Sequence, residues 1–198
     1  GGVLGMGASN GILRAAKGQI YDGGIRVPCI VWWPGKVPAG STCYAQASVL
    51  DFYSSFATLA GKPLSDNVRR DGTDISDYFF HPDKQRDPRP FYYWHVGYLQ
   101  ALRYGNWKLN LLSQFSEEAR QHILKSTYKI VHFTDHIELY NLQNDPGELK
   151  DVSQMHPEIV QQLLQLAQDA RADLGEFDQK GPGVRKTIYV DNPKPNLK

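Results

Sequence analysis

The chain has 198 residues, with 22 basic against 21 acidic side chains and a formal net charge of +1, long enough for one sizeable core or a core with an appendage. So even a balance excludes the basic footprint of a nucleic-acid surface and a membrane-attracted basic face. No apolar run reaches the length of a membrane span; the longest, residues 29–33, ends at Pro34.

Residues 1–16 carry five glycines with Ser9 and Asn10 and follow neither a helical nor a strand period, which predicts a loop. The opening Gly1-Gly2-Val3-Leu4-Gly5-Met6-Gly7 has no charged segment, apolar stretch or small-residue cleavage site and reads like the middle of a loop, so the chain is expected to be part of a longer one. Asn10-Gly11 reads as a turn. Next comes Lys17-Gly18-Gln19-Ile20-Tyr21-Asp22-Gly23-Gly24-Ile25-Arg26-Val27-Pro28, which puts two cations, one anion and a glycine pair in a single short loop. The glycines permit positive φ and close backbone approach, and the expectation is a tight loop with Lys17 facing a cavity. Asp22 and Arg26 are expected either to pair within this loop or to let Arg26 anchor it to the sheet through forked hydrogen bonds.

The apolar run Cys29-Ile30-Val31-Trp32-Trp33 has the length and composition of a buried strand. Two cysteines, Cys29 here and Cys43 in a turn region, offer no metal-ligand spacing, and a disulfide between them is possible but unsupported. Residues 48–60 predict a helix: Val49, Phe52, Tyr53, Phe56, Leu59 and Ala60 recur at helical spacing, Ser48 suits the cap, and Gly61 with Pro63 stops it. Asp51 in its first turn complements the helix dipole. The charged, proline-broken stretch 81–90 marks an internal boundary.

Beyond it the texture changes to short strands. Residues 91–95, 99–104, 107–112, 128–133 and 137–140 read as strand segments of an antiparallel sheet of about four strands, with Gly105-Asn106 as a two-residue hairpin turn and a short helix over 116–124. Asn144-Asp145-Pro146-Gly147-Glu148 is a turn by composition. Residues 157–174 then predict the clearest helix, with Pro157 at the first position, Glu158 at the positive end, a stripe of Ile159, Val160, Leu163, Leu164, Ala167, Ala170 and Leu174, and Gly175 as the stop. The tail from Lys180 has three prolines and two glycines and is expected to wander over the surface.

The string from Lys17 to Pro28 resembles the second signature of the sulfatase family, and Arg103-Tyr104-Gly105-Asn106-Trp107-Lys108-Leu109 and the stretch from Leu139 to Glu148 resemble its C-terminal subdomain. The resemblance implies an α/β fold: the C-terminal part of an alkaline-phosphatase-like sulfatase domain over 1–88, then a small four-stranded antiparallel sheet with a long C-terminal helix over 89–179, then an extended tail over 180–198. It implies that Lys17 holds a sulfate oxygen, with Gly23, Gly24, Asp22 and Arg26 as the structural loop. A lysine ammonium about 4 Å from an anion gains roughly 1 kcal/mol in water and about 4 kcal/mol at an effective dielectric near 20, so partial enclosure makes such a cation worth having. His95, after four aromatics, is a candidate substrate contact or else a buried strand histidine.

In the family, calcium is bound by an Asp-Asn pair and the nucleophile is a formylglycine made from a Cys or Ser followed by Pro and Arg. Neither Cys29 nor Cys43 has that context, and no acidic residue precedes Asn10-Gly11, so both groups are expected from an N-terminal part outside this chain, without which the chain is expected to be inactive. The substrate implied is a sulfated carbohydrate, including glycosaminoglycan aminosugars, or an aryl sulfate. The compartment implied is periplasmic, secreted or lysosomal. A phosphoesterase or phosphonate hydrolase of the same superfamily, and a noncatalytic glycan-binding module, are the competing readings. The remaining histidines, at 81, 122, 132, 136 and 156, lack ligand spacing.

Overall fold

The computed structural model describes residues 9–65, 67–126, 131–185 and 191. Two compact units emerge, one made of the chain up to Ile25 together with everything from Pro90, the other of Arg26–Arg89. One dividing point falls between Arg89 and Pro90. The other lies inside the Lys17 signature and divides the grouping of 1–88, because residues 14–25 lay their side chains on the sheet.

The first unit is built on an antiparallel meander in the order β1 (Pro90–His95), β2 (Tyr98–Tyr104), β3 (Trp107–Asn110), β4 (Glu138–Asn141). Its register places Leu102, Leu109 and Leu139 in one row across three strands. Alternation of side chains puts Leu111 on the face of that row, a bulge in β2 opposite Tyr93 and Trp94 brings Leu99 to it as well, and the face is covered by Leu163, Ala167 and Ala170 of helix α5 (Pro157–Leu174). Each of these leucines is fully buried, worth about 2 kcal/mol of transfer free energy apiece before entropy is subtracted.

The opposite face carries Ala101, Tyr140 and Leu142 in a second core with Ile20 and Tyr21 of the N-terminal loop and Ala119 and Ile123 of helix α4 (Glu117–Ser126). The sheet is thus sandwiched between a helix and a loop. Residues 128–130 of the segment read as a strand lie outside the described residues, and 131–133 carry no strand.

Most of the tail from Lys180 lies outside the described residues, but residues 175–184 are held by backbone hydrogen bonds. Gly175, at φ 77°, ends the helix, and β5 (Gly175–Glu176) pairs with β6 (Gln179–Lys180). Gly181 and Gly183 then donate their N–H groups to the carbonyls of Leu174 (3.0 Å) and Asp173 (2.7 Å). The tail is therefore tied down at its start, because carbonyls at a helix end need donors.

The second unit contains α2 (Asp51–Leu59) and α3 (Ser76–Phe80). The turn leading into α2 is closed by side chains: the Ser48 N–H donates to Asp51 Oδ2 (2.7 Å) and the Leu50 N–H to Ser48 Oγ (3.2 Å). Asp51 is more than a dipole partner, for it also accepts from the Thr73 N–H (2.9 Å) and pairs with Arg89. Two expectations fail here. Residues 29–33 form no strand among the described residues, and Ile30 and Trp32 are 90% and 83% exposed. Moreover α2 buries Asp51 and Ser55, while Tyr53 and Phe56 of its apolar stripe are exposed. A strand exists only through a neighbour's hydrogen bonds, and none pairs with 29–33 among the described residues. Both cysteines are free and exposed, so no disulfide joins them.

Candidate functional site: the Lys17 loop on the polar sheet face

Residues 10–25 wrap tightly before reaching the sheet. Asn10-Gly11 is a turn: Leu13 N–H donates to the Asn10 carbonyl (3.1 Å), and the Asn10 amide side chain donates to the Ala15 carbonyl (2.7 Å). Lys17 sits in a second turn closed by Gln19 N–H on the Ala16 carbonyl (3.1 Å) and by Gln19 Oε1 accepting from the Ala16 N–H (3.1 Å), with Gly18 at φ 92°. The short helix α1 (Asp22–Ile25) follows.

The glycine pair works through close approach and not through positive φ. A Cβ at Gly23 would overlap the carbonyl oxygens of Arg14 and Ala15, and one at Gly24 those of Ala16 and Gln19. Gly23 N–H donates to the Arg14 carbonyl (2.8 Å), so the chain returns to within one hydrogen bond of its start.

The loop is fastened to the sheet by buried polar groups. Lys108 and Asn110 on β3, and Glu138 and Tyr140 on β4, stand on the face opposite the leucine row, in register Lys108 with Tyr140 and Asn110 with Glu138. Lys108 Nζ lies 2.9 Å from Asp22 Oδ1 and 2.8 Å from Glu148 Oε1, all three side chains being buried. Asp22 N–H donates to Glu148 Oε2 (2.6 Å). The Arg14 guanidinium lies 3.9 Å above the Tyr21 ring and donates to Tyr140 Oη (3.0 Å) and to the Glu148 carbonyl (2.8 Å). Asn110 Nδ2 donates to Glu138 Oε2 (2.7 Å) and Tyr21 Oη (3.2 Å), and Tyr21 in turn donates to Glu138 Oε2 (3.3 Å).

The protonation states follow from burial. Desolvation, reinforced by Glu138, pushes the Tyr21 phenol up to about 12, and desolvation likewise raises Tyr140, so both remain neutral phenols near neutral pH. Burial also raises the Glu148 carboxyl, against the opposing pull of Lys108 and the Asp22 N–H. Glu148 adopts φ 52°, a left-handed conformation costing a residue with a side chain on the order of 1 kcal/mol.

Lys17 itself is exposed, and no acidic partner stands against it among the described residues. Asp22 and Gly23 are buried, Gly24 is half-buried, and Arg26 is exposed at the start of the other unit. His95 ends β1 opposite Tyr98, half-buried, beside the Val96-Gly97 turn, where both residues have positive φ (45° and 85°). It is not brought to the loop's polar clasp. No group of three or more His, Cys, Asp or Glu is placed to hold a metal among the described residues. No helix among them is long and apolar enough to cross a membrane.

Lys108, Glu148, Arg14 and Glu138 are absent from the site expected from sequence. Polar residues alternating along a strand are ordinarily the solvent face, and the only available signal was the spacing Lys108-x-Asn110 facing Glu138-x-Tyr140 within two segments read as strands.

Residues 86–187 match the model of the C-terminal region of aryl-sulfatase. Human arylsulfatase A is 34% identical over 175 residues, covering 82% of this chain and 34% of that protein. N-acetylgalactosamine-6-sulfatase of Canis lupus familiaris is 30% identical, covering 85% of this chain and 35% of its own length. The solved structure of Ps i-CgsB in complex with k-i-k-neocarrahexaose superposes with a TM-score of 0.66 at 28% identity, over 86% of this chain and 34% of that one. The chain thus spans about a third of the length of the curated relatives it matches.

Proposed function

We propose, for a chain that belongs to the sulfatase family, that it is the C-terminal third of a sulfuric ester hydrolase and contributes Lys17 as the group that binds a sulfate oxygen. The carrying observation is the placement of Lys17 on a rigid turn whose flanks are buried and clasped, so that an exposed ammonium projects from a fixed base. A sulfate ester carries its charge on nonbridging oxygens, and a fixed cation counters that charge without reorganising during the reaction.

Calcium and formylglycine, which this family reading calls for, find no ligand cluster among the described residues and no matching cysteine context in the sequence, and are assigned to the N-terminal part of the protein. The same part supplies the strand that pairs with residues 29–33 and the surface that covers Tyr53 and Phe56. Those exposed apolar groups support this reading, since isolated patches of this kind mark interfaces. His95 takes the role of a substrate contact. The substrate is a sulfated carbohydrate or an aryl sulfate; the oligosaccharide in the Ps i-CgsB complex and the aminosugar in the name of the canine relative favour the first. A periplasmic, secreted or lysosomal location goes with that chemistry.

In the full-length protein, Lys17→Ala is expected to lower turnover of an aryl sulfate about 10²–10³-fold with an unchanged melting temperature, because the side chain is exposed. Turnover within twofold of the parent would overturn the assignment. Faster hydrolysis of phosphate than of sulfate monoesters by the parent protein would move it to the phosphoesterase branch, and glycan binding without either hydrolysis would make it a binding module.

A further inference from the structure

One turn grips the Lys17 loop on both sides. Arg14, before Lys17, donates to the Glu148 carbonyl at 2.8 Å, and Asp22, after it, donates its N–H to Glu148 Oε2 at 2.6 Å. The other oxygen of that carboxylate lies 2.8 Å from Lys108 Nζ, and Lys108 returns to Asp22 Oδ1 at 2.9 Å, closing a ring of three contacts. Exposure is 0% for Glu148, 1% for Lys108 and 3% for Asp22. Gly147 lies so close to the Ile12 backbone that a Cβ there would come within 2.9 Å of its carbonyl oxygen. The ring joins positions 86 and 126 residues apart in sequence.

A buried ion triad is weak evidence of stability, because well-packed apolar groups of similar volume often serve as well. What it adds is direction. One ammonium between two carboxylates fixes the place and orientation of Asp22, and an error of about 1 Å in a binding group costs on the order of 100-fold in rate. We propose that Lys108 and Glu148 are positioning residues for Lys17, acting through Asp22 to hold its ammonium at the point where a sulfate oxygen binds. This rests on the assignment of Lys17 made above.

The test uses the full-length protein, aryl sulfate turnover, and competitive inhibition by inorganic sulfate. Glu148→Gln keeps the side-chain shape and loses one charge. The combined Asp22→Asn, Lys108→Met, Glu148→Gln variant removes all three charges and leaves none buried alone, so it folds where Lys108→Met by itself does not. Either variant is expected to lower kcat/KM about 10–100-fold and to weaken sulfate inhibition in parallel. In a Lys17→Ala background the same changes are expected to cost less than about twofold, because groups acting through one another are not additive. Equal losses in both backgrounds, or unchanged sulfate inhibition, would reduce the triad to a structural prop while leaving the Lys17 assignment intact. A Lys17→Ala protein with parental turnover and parental sulfate inhibition would overturn the assignment and the positioning role together.

Discussion

Two apolar stretches of similar texture meet opposite fates in this chain. Leu99, Ala101 and Leu102 on β2 are fully buried, whereas Ile30 and Trp32 in the second unit are among its most exposed side chains. The difference lies in the neighbours and not in the residues. β2 has β1 and β3 on its two edges and helix α5 over its leucine face, all from within this chain. Residues 29–33 have no strand beside them among the described residues. Hydrophobicity supplies the drive to bury a run, but the backbone groups of that run must also be paired.

The largest expected effect probes the well-partnered side of this contrast. Leu163→Ala removes the α5 side chain set against the leucine row and should cost about 2–5 kcal/mol in urea unfolding; a loss below 1 kcal/mol would mean the helix is not what covers that face.

A smaller effect tests how α5 is joined to the sheet. Asp151 accepts from the N–H groups of Leu139 and Ser153, both at 2.9 Å, and lies 3.0 Å from His136 Nε2. Burial by itself would raise this carboxyl, but those hydrogen bonds win and hold it below its ordinary value. A lowered folded pKa gives stability that is present above the unfolded value, about 3.9, and lost as pH falls through the folded one. Asp151→Asn should therefore cost about 1–2 kcal/mol at pH 7, with the gap to the parent closing below pH 4; a constant gap across that range would assign the effect to packing.

The smallest effect belongs to the unpartnered run. Ile30→Ser in this chain should change stability by no more than about 0.5 kcal/mol, and by 1–3 kcal/mol in the full-length protein if a strand from the N-terminal part pairs there. A large loss in the chain alone would erase the contrast between the two regions.

Elements with short-range causes were readable. Pro157, the 3.6-residue stripe and Gly175 delimit α5 at the residues where it begins and ends, and Gly105-Asn106 turns β2 into β3 as its dipeptide signals. The Lys17 signature could likewise be picked out as a tight loop from its glycines. Their mode of action could not, because Gly23 and Gly24 are required by carbonyls of residues 14, 15, 16 and 19 that only the folded turn brings close. The pairing of Asp22 with Lys108 and Glu148 was equally hidden: a lysine in a strand is by default a solvated one.

What the amino-acid order determined by itself is the elements with local causes, such as α5 and the β2–β3 hairpin, since propensity, capping and hydrophobic period act within a few residues. What only the tertiary structure decided is which polar side chains are buried together. An ion triad spanning residues 22, 108 and 148 arises from register and topology, and whether a charge sits in water or in a low dielectric depends on what the rest of the chain lays over it.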